Sequence, residues 1–474
     1  MRRVFVAAAV VCVTASAAGT ANAAGFAAAR FGGEHGNVVE SNPTALYFNP
    51  GAIAFSEGIH LYLGGDIALR QATWDHPATD PDPNLPMNAG IGNSGKAHLF
   101  DVFSGPTLAA TAKFGNLALG VGLFVPFAGR VHWAKDSAYS SFPSDQTCGG
   151  DGACTLAANG PQRWHMTDAE LTFISVTAGL AYRLGPIGIG ATFNFYNSTV
   201  SESQGRTFTG SIDSTAENTG TLNVSGNNAS FGLGAMVEVV PDHLWLGASY
   251  QAKPGLGEQR LTGTLQYVNG PAPYYPQSGG ATYDVSLHET LPDIVRAGVR
   301  LRPTDDFEIR AFGDLTRWSA MTSQCVNDNK GGPDCLVRAD GSAANKTAVL
   351  TNIPRNWKDT YGARLGASYW FSHDVEIFAG AGYETGAAPD STMEPGAMDG
   401  DNVAGALGGR FFLFDSFYFA ASYTHIQFLD RTVTTSTLAE KNGKPVQYPT
   451  VQQDGNGTYT QFIGIVDLNI EKQF

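Results

Sequence analysis

The stretch Ile59-His60-Leu61-Tyr62-Leu63-Gly64-Gly65-Asp66-Ile67-Ala68-Leu69-Arg70 alternates residue by residue. Ile59, Leu61, Leu63, Ile67 and Leu69 fall on one face of an extended chain, and His60, Tyr62, Asp66 and Arg70 on the other. Such a period of two marks a strand with one apolar and one mixed face. It predicts a strand over 58–73, and similar runs predict strands over 106–114, 117–127, 168–183, 186–198, 229–240, 244–253, 291–302, 306–318, 358–371, 374–385, 402–413, 416–431 and 458–474. The even total of fourteen suits a single-chain membrane barrel.

The connections sharpen this reading. Tight turns are expected at Gly115-Asn116, Gly185-Pro186, Pro241-Asp242-His243, Pro303-Thr304-Asp305, Ser372-His373 and Asp415. They alternate with long segments near 74–105, 128–167, 199–228, 254–290, 319–357, 386–401 and 432–457. Short turns at one rim and long loops at the other are the layout of outer-membrane barrels, and a soluble sandwich has no reason to alternate them strictly.

Composition excludes other classes. The chain has 474 residues, 57 of them Gly, with 11% aromatic and only 15% charged residues. Its 43% hydrophobic content argues against disorder. No apolar run beyond the N-terminus approaches the ~18–20 residues of a membrane helix. The net charge of −14 disfavours a nucleic-acid partner. No G-x-S-x-G elbow, H-E-x-x-H motif or credible metal pair is present, so neither an enzyme nor a cofactor or metal site is expected.

Residues 1–23 read as a secretory signal, with Arg2 and Arg3 before an apolar run and Ala21-Asn22-Ala23 as the cleavage site. In an exported chain, Cys148 with Cys154 and Cys325 with Cys335 are favoured as two small-loop disulfides, with free thiols the alternative. Both pairs fall on the long-loop side, which would be extracellular. At the other end, Val466, Leu468, Ile470 and terminal Phe474 alternate with Asp467, Asn469 and Glu471, resembling the signal read by the outer-membrane insertion machinery.

A Lys or Arg on the lipid face costs about 2–4 kcal/mol at mid-bilayer, so mixed faces must line the lumen. That places Arg296, Arg300, Glu308, Arg310, Asp314, Arg364, Glu376, Glu384 and Arg410 inside. Most would pack the interior as a charge ladder, and one or two arginines could meet an anionic head group. Residues 24–57 do not alternate and are too apolar for a flexible tail. Fourteen strands enclose more space than side chains fill, so this segment is expected inside the lumen as a hatch. The barrel would then span 58–474.

Several stretches carry a family resemblance: AGF at 24–26, FNPGAIAF at 48–55, VGLFVPF at 121–127, TRWSA at 316–320, NWKDTYGARLGASYWFS at 356–372, AGYETGAAPD at 381–390 and YTHIQFLD at 423–430. In order and over nearly the whole chain, they resemble the FadL outer-membrane family of long-chain fatty acid and hydrophobic-compound transporters, including its toluene-type members. The resemblance implies an all-β, 14-stranded antiparallel barrel with an N-terminal hatch in the lumen, in the Gram-negative outer membrane among lipid and lipopolysaccharide. It implies capture of a fatty acid or aromatic hydrocarbon by outer loops, internal binding, and sideways release beside a kinked third strand. The hatch positions that correspond are Asn49, Pro50 and Gly51, the last replacing the family's Ala, together with Phe26. Gly120 and Gly122 are the expected hinge of the wall opening. Phe127, Trp133, Phe142, Tyr267, Tyr274 and Tyr275 are candidate ligand contacts, and Arg130, Arg260, Arg300 and Arg364 candidate head-group partners. A monomer is expected. The rival readings are a general porin for polar solutes and a surface adhesin or structural barrel.

Overall fold

In a computed structural model of the chain, described for residues 31–78, 92–136, 158–206, 217–268, 281–331, 334–335, 349–413, 416–438, 440–441, 444–445 and 453–474, a closed antiparallel barrel of fourteen strands is formed. The barrel strands are β1 (Ile59–His76), β2 (Gly95–Phe114), β3 (Leu117–His132), β4 (Asp168–Leu184), β5 (Ile187–Arg206), β6 (Asn218–Val240) and β7 (Leu244–Gln251). They continue as β8 (Ile294–Thr304), β9 (Phe307–Thr316), β10 (Thr360–Ser372), β11 (Val375–Glu384), β12 (Asn402–Leu413), β13 (Phe417–Phe428) and β14 (Gly457–Gln473). Each pairs with its sequence neighbours, and β14 closes the ring on β1 with Asp467 opposite Asp66. Ile59 and Phe474 seal that junction by exchanging both backbone hydrogen bonds.

Face assignment follows the alternation. Ile59, Leu61, Leu63 and Ile67 are exposed on the outer wall, whereas His60, Tyr62 and Arg70 are buried. In β14, Leu468, Ile470 and Phe474 point outward while Asp467 and Glu471 are buried. An apolar belt of this kind is what a hydrocarbon surround requires. Turns join β2–β3 at Gly115-Asn116, β4–β5 at Gly185-Pro186 and β6–β7 at 241–243. The β8–β9 turn sits at 305–306 and the β10–β11 turn at 373–374, each one or two residues beyond the expected place. The expected turn residue Asp415 lies outside the described residues.

The long segments are not simply loops. β2 begins at Gly95, β5 continues to Arg206 and β6 starts at Asn218, well beyond the boundaries expected from the alternation. Four further strands, Gln259–Val268, Ala281–Glu289, Ser323–Asp328 and Val349–Pro354, lie side by side and extend the upper half of β6. Leu261, Leu265 and Tyr267 are buried there while Arg260, Thr262 and Gln266 face outward. The outer face is polar because it meets water rather than lipid, which masks the pattern seen in the membrane. Cys325, on one of these strands, is disulfide-bonded to Cys335, as expected. Cys148 and Cys154 lie outside the described residues, as do residues 1–23.

Candidate functional site

Residues 31–57 occupy the barrel interior. A short helix, Ala45–Phe48, and a 3-10 turn, Pro50–Phe55, pack against the inner faces of β3 to β6. Asn49 organises this turn. Its side-chain oxygen accepts from the Gly51 amide, and its Nδ2 donates to the carbonyls of Val38 (2.7 Å) and Ala235 (2.9 Å). Gly51 lies against β5 and β6 rather than β3, where a Cβ would meet the Gly188 carbonyl oxygen at 2.8 Å and the Ala235 Cα at 2.8 Å. Across the contact, a Cβ on Gly190 would come within 2.5 Å of the Pro50 carbonyl carbon. The wall glycines thus form a recess into which the Asn-Pro-Gly turn is seated. Phe26 lies outside the described residues.

The rest of the segment is held by two kinds of contact. Phe31 stacks on Phe124 of β3 at 5.1 Å and meets Tyr47 edge-on at 5.2 Å. Gly120 is in regular register with Thr111 and gives room to Leu46, whose Cδ2 a Cβ would approach to 2.8 Å. Gly122, opposite Ala109, is the seat of the Phe124 ring, 2.5 Å from where its Cβ would stand. Towards the short-turn rim a dense ion network replaces apolar packing. Arg310 donates to Glu40 (3.2 Å), Glu308 (3.3 Å) and Ser368 (2.7 Å). Arg300 bridges Glu40 (3.4 Å) and Glu308 (2.9 Å) over the Trp245 ring, and His35 spans Glu40 and Glu376. Arg410 completes it on Glu376 at 2.8 Å. Opposite charges paired this closely serve as packing, so Arg300 is committed to the network.

The wall itself is parted at one seam. β2 and β3 are laddered only from Leu108↔Leu123 to Phe114↔Leu117, then meet again at the single bridge Leu99↔Trp133. Between these points β3 carries a bulge at Val125-Pro126 in its pairing with β4. Pro126 on β3 and Pro106 on β2 stand just above the last laddered pair, and neither has an N–H to give. Phe103 of β2 packs inward beside Ile426, Phe428 and Ile463, which gives the lumen next to the seam an apolar patch. On the lipid side, Leu108 and Leu123 border an apolar groove of about 590 Å³ shared with Leu61, Leu63 and Val176.

Above the seam the long-loop end is capped by an aromatic and methionine layer. Phe127 meets Phe173 and Trp318, Trp318 crosses Trp357 at 5.0 Å, and Trp74, Trp133, Met166, Met321 and Met393 share the cluster. Its polar pins are buried. Glu394 is bridged by Arg355 and by His165 at 3.0 Å. Burial alone would raise its carboxyl, but the Arg355 guanidinium and then His165 outweigh this and pull it down to about 2.

Small interior clefts remain among the described residues. One, about 40 Å³, lies between the N-terminal segment and β8–β11, lined by Tyr47, Phe48, Arg296, Phe312, Asp314 and Arg364. Arg296 sits over the Tyr47 ring at 4.8 Å and Arg364 over Phe312 at 5.7 Å. Another, also about 40 Å³, lies in the outer extension, where Leu222, Leu265, Tyr267 and Val326 surround Glu202 and Arg206. The remaining candidate residues are dispersed. Past the bulge Arg130 falls on the outer side of the wall opposite Glu170, and Arg260 is exposed and bonded to Ser286 and Asn329. Phe142, Tyr274 and Tyr275 lie outside the described residues.

A barrel with an occupied lumen, a parted wall and an aromatic outer cap has parallels. A family model described as outer membrane protein transport protein (OMPP1/FadL/TodX) matches residues 153–461. The chain belongs to this family. Among solved structures, a Pseudomonas aeruginosa FadL homologue is 18% identical, with TM-score 0.69, over 96% of this chain and 98% of that one. The Pseudomonas putida toluene transporter TodX is 15% identical with TM-score 0.61, and the Ralstonia pickettii toluene transporter TbuX 16% with 0.57, each over 95% of this chain and 98% of the other. No curated protein matches in sequence. As an OMPP1/FadL/TodX member the chain is an outer-membrane β-barrel transporter of hydrophobic compounds in Gram-negative cells.

Sequence reasoning did not single out Phe31, Tyr47, Phe124, Pro106 and Pro126. For the prolines a signal existed, because Pro within a strand marks an edge or a bulge.

Proposed function

We propose that the chain takes up long-chain fatty acids or similar apolar molecules, which collect at the outer aromatic layer, pass into the lumen above the N-terminal hatch, and leave sideways through the β2–β3 seam. The seam carries this reading: an apolar lumen patch of Phe103, Ile426, Phe428 and Ile463 lies beside it, next to Arg70 and Asp101, and an apolar groove begins on the lipid face at its last laddered pair. Each CH₂ moved out of water is favourable by about 0.8 kcal/mol, so diffusion down a gradient needs no other drive. Arg296 and Arg364 suit a carboxylate at the end of an apolar chain. A neutral aromatic is the second reading, favoured by the Tyr47, Phe48 and Phe312 rings in the same cavity. The hatch and its ion network fill the short-turn end of the lumen, which speaks against a porin for polar solutes.

A Cβ on Gly105 would lie 3.8 Å from Val125 Cβ, the spacing of a disulfide across the seam. Cells carrying Gly105→Cys with Val125→Cys should take up radiolabelled oleate and toluene at least tenfold more slowly when oxidised, with recovery on reduction. Undiminished uptake in the oxidised state overturns sideways release. The ratio of the two substrates in reduced cells decides between the fatty-acid and aromatic readings.

A further inference from the structure

A barrel normally leaves no strand edge, and an unpaired backbone group facing hydrocarbon costs several kcal/mol. The parted stretch, residues 100–107 of β2 and 124–132 of β3, therefore needs its backbone groups satisfied some other way. Two side chains do so at the outer end of the β3 edge. The Asp101 carboxylate accepts the His132 amide at 3.1 Å, and Arg70 Nη1 donates to the Arg130 carbonyl at 3.3 Å. Both β3 groups lie two residues apart on the edge turned towards β2. Arg70 and Asp101 are themselves register partners on β1 and β2, so opposite charges stand side by side. Arg70 is further fixed by Nε and Nη2, which both donate to Gln461 Oε1 on β14, at 2.9 and 2.5 Å.

We infer that Arg70 and Asp101 are the positioning residues that keep the seam parted, capping the β3 edge in place of the missing β2 ladder. Charge-assisted hydrogen bonds of this kind are roughly twice as strong as neutral ones. At these two groups the β3 edge is held by side chains rather than by a ladder, so no backbone pairing has to be broken there for the strands to separate. The functional meaning rests on sideways release as proposed above, whereas the capping itself does not.

The test is amide hydrogen exchange of the full chain in phospholipid vesicles, followed in peptides covering 127–134, with heat-modifiability on gels confirming a folded barrel. Asp101→Ala and Arg70→Met should each speed exchange there by about tenfold, while the laddered segment 117–123 is unchanged. Asp101→Asn, which keeps an acceptor at nearly the same place, should retain protection, and it carries the test should Arg70→Met fail to fold. Unchanged or slower exchange in Asp101→Ala overturns the assignment, and so does equal loss of protection in Asp101→Asn. Faster exchange together with undiminished uptake through the oxidised Gly105/Val125 pair upholds the capping and overturns only sideways release.

Discussion

Gly51 lies so near the barrel wall that a methyl group on it would stand 2.6 Å from the carbonyl oxygen of Gly234. This close seat is made by Gly188, Gly190 and Gly234 on the inner faces of β5 and β6, where a side chain would fill the space that the turn takes.

Gly51→Ala is expected to loosen the N-terminal segment, since forcing a methyl group into a filled contact costs roughly 1–3 kcal/mol. Sensitivity of cells to large polar antibiotics should rise, and single-channel recordings should show intermittent openings absent from the parent protein. A closed, quiet channel would contradict the proposed sealing role.

Removing residues 24–57 should leave a barrel that still inserts, because the strands pair without the segment. Planar-bilayer conductance should become large and steady. Conductance equal to that of the intact protein would show that the segment does not close the lumen.

Gly122→Val should slow uptake several-fold while leaving the amount of folded protein unchanged. The added side chain competes with the Phe124 ring, which is stacked on Phe31, for one small space beneath the seam. Normal uptake kinetics would separate Gly122 from the wall opening.

The outer cap should be insensitive to mild acid and fail only in strong acid. Glu394 has a folded-state value lowered from 4.5 to about 2. Its stabilising effect is therefore fully present above pH 4.5 and fades as the pH falls towards 2, on the order of 3 kcal/mol across that window. Tryptophan emission, to which Trp74, Trp133, Trp318 and Trp357 of the cap contribute, should shift to the red within it. Glu394→Gln should remove most of that pH dependence.

Much of the fold was legible because lipid imposes a strict rule on alternate residues. Ile59, Leu61 and Leu63 must be apolar, and the short turns must be short, so strand count and topology follow from local sequence. The outer strands escaped notice because Arg260, Thr262 and Gln266 face water, where the outward position carries no apolar requirement. The ion network was legible only in half. Arg300, Arg310 and Glu376 were assigned to the lumen from cost alone, but their partners Glu40 and His35 lie hundreds of residues away, and no local pattern joins them. The seam needed register as well as composition. Pro106 and Pro126 are ordinary strand irregularities until β2 and β3 are aligned and both fall just above Leu108↔Leu123.

β6 runs for 23 residues, about 75 Å of extended chain at ~3.3 Å per residue. Crossing the hydrocarbon takes only roughly ten residues. With β5 beside it, the surplus carries the outer extension past the bilayer, while the aromatic cap, built on Phe127 and Trp133, stays at the level of the seam. The excess length thus stands over the seam as a wall of paired strands, a rigid rim where loops alone would have to find their own shape.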